Sequence, residues 1–241
     1  MEKNLSTNSF SIKRIIESKD WLKLYALFNF LIYTVSIGLI IYSFINEMLT
    51  NGATGAWETI DKFTNESNAL LWIFMLFYLF FPNHSFMKDN KFLVSTTVYI
   101  FFTFVGYNLI LVPNGNPFVK PGDVYYNLQN IWLHVISPIF FISFYFYHCI
   151  QNKNMYPKVF WKTLLSGMIY PTIYVIYLST IPFVLANDDG TAYSIYGSTT
   201  NTKENSFSWV YILGMYLVFF PASFAIYYYS WFFISKKQKK I

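Results

Sequence analysis

Residues 22–45 read LKLYALFNFLIYTVSIGLIIYSFI, and this stretch decides the fold class of the chain. An α-helix rises about 1.5 Å per residue, so roughly 20 apolar residues cross the hydrocarbon core of a bilayer, which is about 30 Å thick. The stretch is long enough to do so, and it is too long for the apolar core of a signal peptide. It therefore predicts a retained transmembrane helix.

Further apolar blocks of similar length follow along the chain. The predicted spans are Leu22–Ile45, Thr64–Phe81, Phe92–Val112, Ile131–Ile150, Phe160–Leu185 and Ser208–Ile234. No connection between them is long enough for a separate domain, so residues 1–241 are predicted to form a single all-α domain, a bundle of six transmembrane helices. The longest connection, Ala186–Phe207, is rich in Asn, Gly, Ser and Thr, which is typical of a mobile loop.

The composition supports a membrane protein and excludes several other classes. Hydrophobic residues make up 55% of the chain and charged residues only 12%, whereas a soluble domain carries about 25% charged residues. The single cysteine, Cys149, excludes an intrachain disulfide and cysteine-based zinc or iron–sulfur sites. The net charge of +5 comes from lysines that flank the apolar blocks. Membrane lipids are therefore the predicted partners, and nucleic acid is not.

Seven segments lie outside the apolar blocks, namely the two termini and the five links, and basic residues are concentrated in every second one. The first, third, fifth and last of these segments are lysine-rich, and they contain Lys3, Lys13, Arg14, Lys19, Lys23, Lys88, Lys91, Lys153, Lys158, Lys162, Lys236, Lys237, Lys239 and Lys240. The other three links are more acidic, with Glu47, Glu58, Asp61, Lys62, Lys120, Asp123, Asp188, Asp189, Lys203 and Glu204. Because basic segments stay inside, this pattern predicts a cell-membrane protein with both termini in the cytoplasm.

Polar residues inside the apolar blocks are the first candidates for function, because polar groups are costly in hydrocarbon. The second block opens with Phe63-Thr64-Asn65-Glu66-Ser67-Asn68. Thr64, Ser67 and Asn68 are spaced to share one helix face, which should point into the bundle. The alternative interpretation is a helix N-cap, with Glu66 favoured by the helix dipole.

The fourth block carries Asn127, Asn130, His134 and Pro138 around its start. His134 is a candidate general base, and the alternative is an imidazole that bonds a neighbouring helix. The second and fourth predicted helices enter the membrane from the same side, so Thr64 and His134 lie at matching depth. A hydroxyl nucleophile and its base must approach to about 3 Å. The sequence leaves open whether these two helices are neighbours.

The two remaining histidines, His84 and His148, lie near the cytoplasmic ends of their blocks. Membrane cytochromes hold haem between histidines of different helices. Here His84 follows Pro82-Asn83 in a predicted loop, so interfacial histidines are favoured over a haem site. No cofactor and no metal ion are predicted.

The chain resembles the androgen-induced, FAR-17a-type family of six-helix membrane proteins. That family commonly opens its second helix with Phe-Thr-x-x-(Ser/Thr)-Asn, matched here by residues 63–68, and its fourth with Leu-His-x-x-x-Pro, matched by residues 133–138. It includes intramembrane threonine hydrolases of fatty-acid esters of hydroxy fatty acids. The resemblance implies that Thr64 is a nucleophile and His134 its base. Where the family usually has a Tyr-Pro-rich segment, this chain has Ile181-Pro182-Phe183 and, later, Tyr193–Tyr196.

In such a hydrolase of lipophilic esters, hydrogen-bond donors must stabilise the oxyanion, and one donor is worth about 3 kcal/mol in a dry site. The candidates are Ser67, Asn68 and Asn130, and Glu66 is the candidate for orienting the imidazole. Two other functions remain open, a small-molecule or lipid transporter and a non-catalytic partner of a larger complex. No charged residue lies deep in any span, which argues against ion-coupled transport.

Overall fold

The structure, a computed structural model, describes residues 20–115, 117–187 and 189–237. Within these residues the chain is helical, and its only extended pairing is an isolated bridge between Ala186 and Ala192. The predicted all-α class is therefore confirmed. Several residues used above as topology signals lie outside the described residues, namely Lys3, Lys13, Arg14, Lys19, Asp188, Lys239 and Lys240.

Six long helices form the described part of the chain. Helix α1 spans Trp21–Ile60 and α2 spans Phe63–Phe80. Helix α3 consists of Lys91–Val105 and a π-helical turn, Gly106–Leu111. Helix α4 consists of Val124–Ile131, the π turn Trp132–Ile136 and Ser137–Gln151. Helix α5 comprises Phe160–Gly167 and Ile169–Val184. Helix α6 comprises Ser208–Gly214, the π turn Met215–Phe219 and Phe220–Lys237.

Five of these helices, all except α2, are long and apolar enough to cross a membrane. Helix α2 has 18 residues and opens with the polar residues 64–68, which lower its mean hydropathy. Large apolar side chains such as Leu49, Ile173 and Leu217 are exposed on the helix surfaces. An extended exposed apolar surface suits contact with lipid rather than water. The architecture is that of a helical membrane bundle.

Helix α1 is longer than the predicted Leu22–Ile45. It continues through a polar stretch in which the Thr50 hydroxyl donates to the Asn46 carbonyl at 2.8 Å. The helix is interrupted at Gly52, with φ 68° and ψ −154°, a conformation that is essentially restricted to glycine. The predicted helix ended at Ile45 because the residues that follow, in the last turns of α1, are polar.

Helix α4 begins at Val124, well before the predicted start at Ile131. The Asp123 carboxylate caps this start by accepting a hydrogen bond from the Tyr126 N–H at 2.9 Å. The remaining predicted boundaries differ from the observed ones by at most three residues, and the starts at Phe160 and Ser208 coincide with them.

Helix α3 lies at the centre of the bundle, where it packs against α2, α4, α5 and α6. The closest approach is at Gly167 of α5, whose carbonyl accepts a hydrogen bond from the Tyr99 hydroxyl of α3 at 2.6 Å. A Cβ at this position would lie 2.2 Å from Cζ of Phe224 in α6. Gly167 therefore allows three helices to meet.

The connection between α5 and α6 folds over the end of the bundle at which α2 begins, called here the Thr64 end. Its Tyr193 hydroxyl donates to the Asp61 carboxylate at 2.7 Å, and its Thr202 hydroxyl donates to the Ser179 carbonyl at 2.8 Å. Within it, Glu204 accepts a hydrogen bond from the Ala192 N–H at 2.9 Å. The composition of this loop predicted mobility, whereas these bonds tie it to α1 and α5.

Candidate functional site

The side chains of Thr64 and His134 meet at the Thr64 end, with Oγ1 and Nε2 3.1 Å apart. Both residues are buried. On the far side of the ring, Nδ1 of His134 lies 3.1 Å from the backbone carbonyl oxygen of Asn130. A carbonyl oxygen can only accept, so Nδ1 carries the proton and Nε2 is left to accept from the Thr64 hydroxyl. The structure thus brings together the two residues that the motifs singled out.

The ring of Tyr107 stacks on the imidazole of His134, with centroids 3.6 Å apart and planes inclined by 17°. The Tyr107 hydroxyl donates to the Pro117 carbonyl at 3.3 Å, which holds the far end of the ring. This stack fixes the plane of the imidazole. Sequence reasoning missed Tyr107, because one tyrosine of 21 carries no distinguishing signal.

Pro138 explains how the helix is shaped around His134. Proline has no N–H, so the carbonyls four and five residues earlier, those of His134 and Leu133, lose a helical donor. The Asn108 amide of α3 donates to the His134 carbonyl at 3.2 Å, and the Asn68 amide of α2 donates to the Leu133 carbonyl at 3.3 Å. The proline of the Leu-His-x-x-x-Pro motif therefore creates two acceptors that join α4 to its neighbours.

The predicted oxyanion donors in α2 are engaged in structural bonds. Ser67 and Asn68 lie one turn deeper than Thr64, and both donate to its backbone carbonyl, at 3.1 and 2.8 Å. The second N–H of Asn68 reaches the Leu133 carbonyl. Ser67 also shares a hydrogen bond of 2.7 Å with the Thr103 hydroxyl. These side chains hold the Thr64 turn in place, and their donors are occupied.

Asn130 and Glu66 also differ from their predicted roles. The Asn130 carbonyl orients the imidazole, while its side-chain amide donates to the Phe118 carbonyl at 3.4 Å. Glu66 instead accepts a hydrogen bond from the Tyr170 hydroxyl at 2.5 Å. Residues two apart on a helix do not share a face. Glu66 therefore points away from the imidazole that Thr64 meets.

An apolar cavity of about 60 Å³ lies on one side of Thr64. Aromatic and aliphatic side chains form most of its wall, among them Phe63, Phe102, Ile110, Leu178, Ile212 and Met215. The half-buried residues Ile110, Tyr211 and Met215 place its opening between α3 and α6. A pocket with this lining suits an apolar group, such as a short stretch of a hydrocarbon chain.

A larger, polar cavity of about 550 Å³ lies on the other side of Thr64. Its wall includes His134, Asn130, Lys62 and Lys120. Five residues line both cavities, namely Thr64, Tyr107, Leu111, Tyr196 and Thr199. The Thr64 hydroxyl thus lies at the boundary between an apolar and a polar compartment.

Two tyrosine hydroxyls meet the start of α2 beside Thr64. The N–H of Phe63 lies 3.0 Å from the hydroxyls of both Tyr174 and Tyr196. The Tyr174 hydroxyl donates to the Asp61 carbonyl at 3.1 Å. These contacts bring the loop between α5 and α6 into the wall of the site, which no sequence motif indicated.

The carboxyl group of Asp61 is buried beneath that loop. Its Oδ2 accepts hydrogen bonds from Tyr193 at 2.7 Å and from Tyr177 at 3.2 Å. Burial raises the pKa of Asp61 above its ordinary value, although the two tyrosine donors act in the opposite direction. Asp61 therefore couples the position of the loop to protonation.

All three π turns in the described residues contribute to the walls of the two cavities, through Tyr107, His134 and Met215. Such turns frequently occur at functional sites. Two of them are followed closely by a proline, Pro138 and Pro221, and this is the signal from which they could have been found.

The two histidines considered for haem lie in separate surroundings. His84 is in the loop after α2 and its ring packs on Phe77, with centroids 5.1 Å apart. His148 is buried in α4, where its Nδ1 lies 3.2 Å from the Tyr78 hydroxyl. Among the described residues, no three His, Cys, Asp or Glu side chains are grouped so that they could hold a metal ion.

Comparison with known proteins gives relatives without a stated activity. Residues 127–237 match the family model described as "Protein of unknown function (DUF1600)". The chain is 40% identical over 200 residues to "Uncharacterized protein MG452" of Mycoplasma genitalium, covering 81% of this chain and 76% of the relative. It is 39% identical over 173 residues to the MG452 homolog of Mycoplasma pneumoniae, covering 69% and 68%. It is 33% identical over 195 residues to "Uncharacterized protein MG133" of M. genitalium, covering 68% and 72%. No solved structure matches the chain.

Proposed function

We propose that this chain, which belongs to the same family as the uncharacterised protein MG452 of Mycoplasma genitalium, is a membrane enzyme that hydrolyses lipophilic fatty-acyl esters. Thr64 is the nucleophile and His134 is the general base. One observation carries the proposal: the Thr64 hydroxyl lies 3.1 Å from the imidazole nitrogen that is free to accept its proton. The resemblance to the androgen-induced, FAR-17a-type family agrees with this assignment.

All six helices cross the cell membrane in this proposal, with both termini in the cytoplasm. The lysines of the described residues support this orientation. The end opposite to Thr64 carries Lys23, Lys88, Lys91, Lys153, Lys158, Lys162, Lys236 and Lys237, and the Thr64 end carries Lys62, Lys120 and Lys203. Since lysines favour the cytoplasmic side, the Thr64 end faces outward.

The reaction follows the nucleophile–base template. Oγ1 of Thr64 attacks the ester carbonyl carbon while its proton passes to Nε2 of His134. The alcohol takes that proton as its C–O bond breaks, and the acyl group stays on Thr64. Water, deprotonated by the same nitrogen, then attacks the acyl-threonine and releases the fatty acid. The Asn130 carbonyl stabilises the transient imidazolium, since it accepts the Nδ1 proton.

The position of Thr64 at the start of α2 also favours negative charge on the reacting oxygen. The first turn of a helix carries a partial positive charge from its unpaired N–H groups. Tyr196 of the loop lines both cavities, and its hydroxyl lies 3.0 Å from the N–H of Phe63, the residue before Thr64. The substrate places its acyl chain in the apolar cavity and its ester bond at the boundary.

The test is labelling with a lipophilic fluorophosphonate probe, followed by mass spectrometry, together with hydrolysis assays in detergent. We expect the probe on Thr64, and loss of hydrolysis by roughly 10²- to 10⁴-fold in Thr64→Ala and His134→Gln. Thr64→Ser keeps a hydroxyl and should retain part of the activity. Thr163→Ala, which removes another buried threonine hydroxyl, should hydrolyse at the wild-type rate. A folded Thr64→Ala protein with full activity would falsify the mechanism.

A further inference from the structure

Most of the lysines at the Thr64 end line the polar cavity. Only three lysines lie at the Thr64 end within the described residues, Lys62, Lys120 and Lys203. Two of them, Lys62 and Lys120, line this one cavity. Lys62 also stands at the N-cap of α2, where a cation is disfavoured by the helix dipole. Another interaction of Lys62 must therefore offset this unfavourable interaction with the helix dipole.

Neither cavity lysine forms an ion pair with a described carboxylate, although Lys62 acts electrostatically on the nearby carboxylates of Glu58 and Asp61. The ion pairs among the described residues join Lys23 to Asp20 and Lys91 to Asp89, both remote from this cavity. The one carboxylate in the cavity wall, that of Glu47, accepts a hydrogen bond from the Asn51 amide at 2.6 Å.

The ammonium of Lys120, an exposed residue, is positioned over the cavity wall. It lies 4.0 Å from the ring centroid of Tyr126, which lines the same cavity. This cation–π contact restrains the side chain without neutralising its charge. The cavity that Thr64 lines therefore also carries two positive charges, which can bind an anion.

We propose, on the basis of the proposed hydrolase function, that the alcohol part of the substrate carries a phosphate group, which Lys62 and Lys120 bind. The substrate class is an acyl ester of a glycerol phosphate, with one hydrocarbon chain. Its chain occupies the apolar cavity, its ester lies at Thr64, and its phosphate lies in the polar cavity. Lysine binds phosphate as a point charge. Hydrolysis breaks only the acyl C–O bond, and the phosphate leaves unchanged on the alcohol.

The first measurement compares kcat/KM for palmitoyl glycerol phosphate and for neutral monopalmitoylglycerol in detergent micelles. We expect the phosphate-bearing ester to be preferred roughly 10- to 100-fold, as charge-assisted bonds of this kind allow. The variant with both Lys62→Gln and Lys120→Gln should lose this preference. Lys203→Gln removes an exposed lysine of the same end that lines neither cavity, so it should keep the preference.

The second measurement is independent of catalysis. Binding of the hexadecyl ether of glycerol phosphate, which cannot be hydrolysed, is followed by tryptophan fluorescence in the wild type and in Thr64→Ala. Tight binding to both proteins, lost in the double lysine variant, supports the phosphate site even where hydrolysis is absent and the proposed hydrolase function fails. Hydrolysis without preference for phosphate overturns this inference and leaves the hydrolase function standing. Equal competition by glycerol phosphate without a chain also overturns it, since the site would then bind a free anion.

Discussion

At the scale of single residues, the imidazole of His134 is defined by three neighbours: the Thr64 hydroxyl, the Asn130 carbonyl and the Tyr107 ring. Thr64 and His134 were predicted as site residues, because a hydroxyl and an imidazole stand out within apolar blocks, while the sequence left open whether they meet. The other two neighbours could not be predicted, since a backbone carbonyl is the same in every residue. A stacking tyrosine from another helix leaves no local pattern either.

The Tyr107 stack can be tested by separating its ring from its hydroxyl. Tyr107→Phe keeps the ring and should leave kcat for ester hydrolysis close to that of the wild type. Tyr107→Ala should lower kcat roughly 10- to 100-fold, because the imidazole loses its fixed orientation. Steady-state kinetics in detergent measure both. Tyr147→Ala removes a ring at the opposite end and serves as the control. Equal losses in the Phe and Ala variants would instead assign the effect to the hydroxyl bond with Pro117.

At the scale of helices, the irregular turns are the informative features. The six apolar blocks correspond to the six long helices, because hydropathy over some 20 residues is a robust signal. The π turns were not predicted, since one inserted residue hardly disturbs an apolar pattern that lacks polar positions. The break at Gly52 was not predicted either, because a single glycine in a helical pattern is usually tolerated.

The close packing of α3, α5 and α6 at Gly167 makes a prediction about helices. Gly167→Ala should destabilise the protein by about 1–3 kcal/mol, because the new Cβ overlaps the Phe224 ring and the backbone must shift. Gly38→Ala provides the matched control, since nothing lies within 4 Å of a Cβ built there and alanine favours the helix. Thermal unfolding in detergent should show a lower midpoint for Gly167→Ala alone. Equal unfolding midpoints would mean that the helices can move apart without a loss of stability.

At the scale of the whole molecule, the site depends on contacts between distant parts of the chain. Helices α2 and α4 supply the Thr64–His134 pair, α3 supplies the stacked ring, and the loop before α6 supplies Tyr196. The alternating charge predicts that Thr64 and His134 lie at matching depth in a membrane. The adjacency of these helices was not, because apolar faces of Phe, Leu and Ile can pack against one another in many arrangements.

The contact between Asp61 and the loop predicts a pH dependence of stability for the whole protein. Because burial raises the pKa of Asp61 in the folded state, that state holds the proton more tightly than the unfolded chain. The contribution of Asp61 to stability is therefore greatest below the ordinary aspartate pKa of about 3.9 and declines as pH rises through the folded value. Asp61→Asn should show a smaller decline in unfolding midpoint over this range. Asp123→Asn, at an exposed helix cap that asparagine also fills, should decline as the wild type does.

The meeting of two unlike compartments at one hydroxyl has a consequence for the fate of the products. Under the proposed hydrolase function, a freed fatty acid would leave the apolar cavity between α3 and α6 into the bilayer, whereas a polar alcohol would leave through the opposite cavity into water. The two fragments thus partition into different phases as soon as they separate. Reversal would require both to return to Thr64 together, so phase separation itself drives turnover in the direction of cleavage.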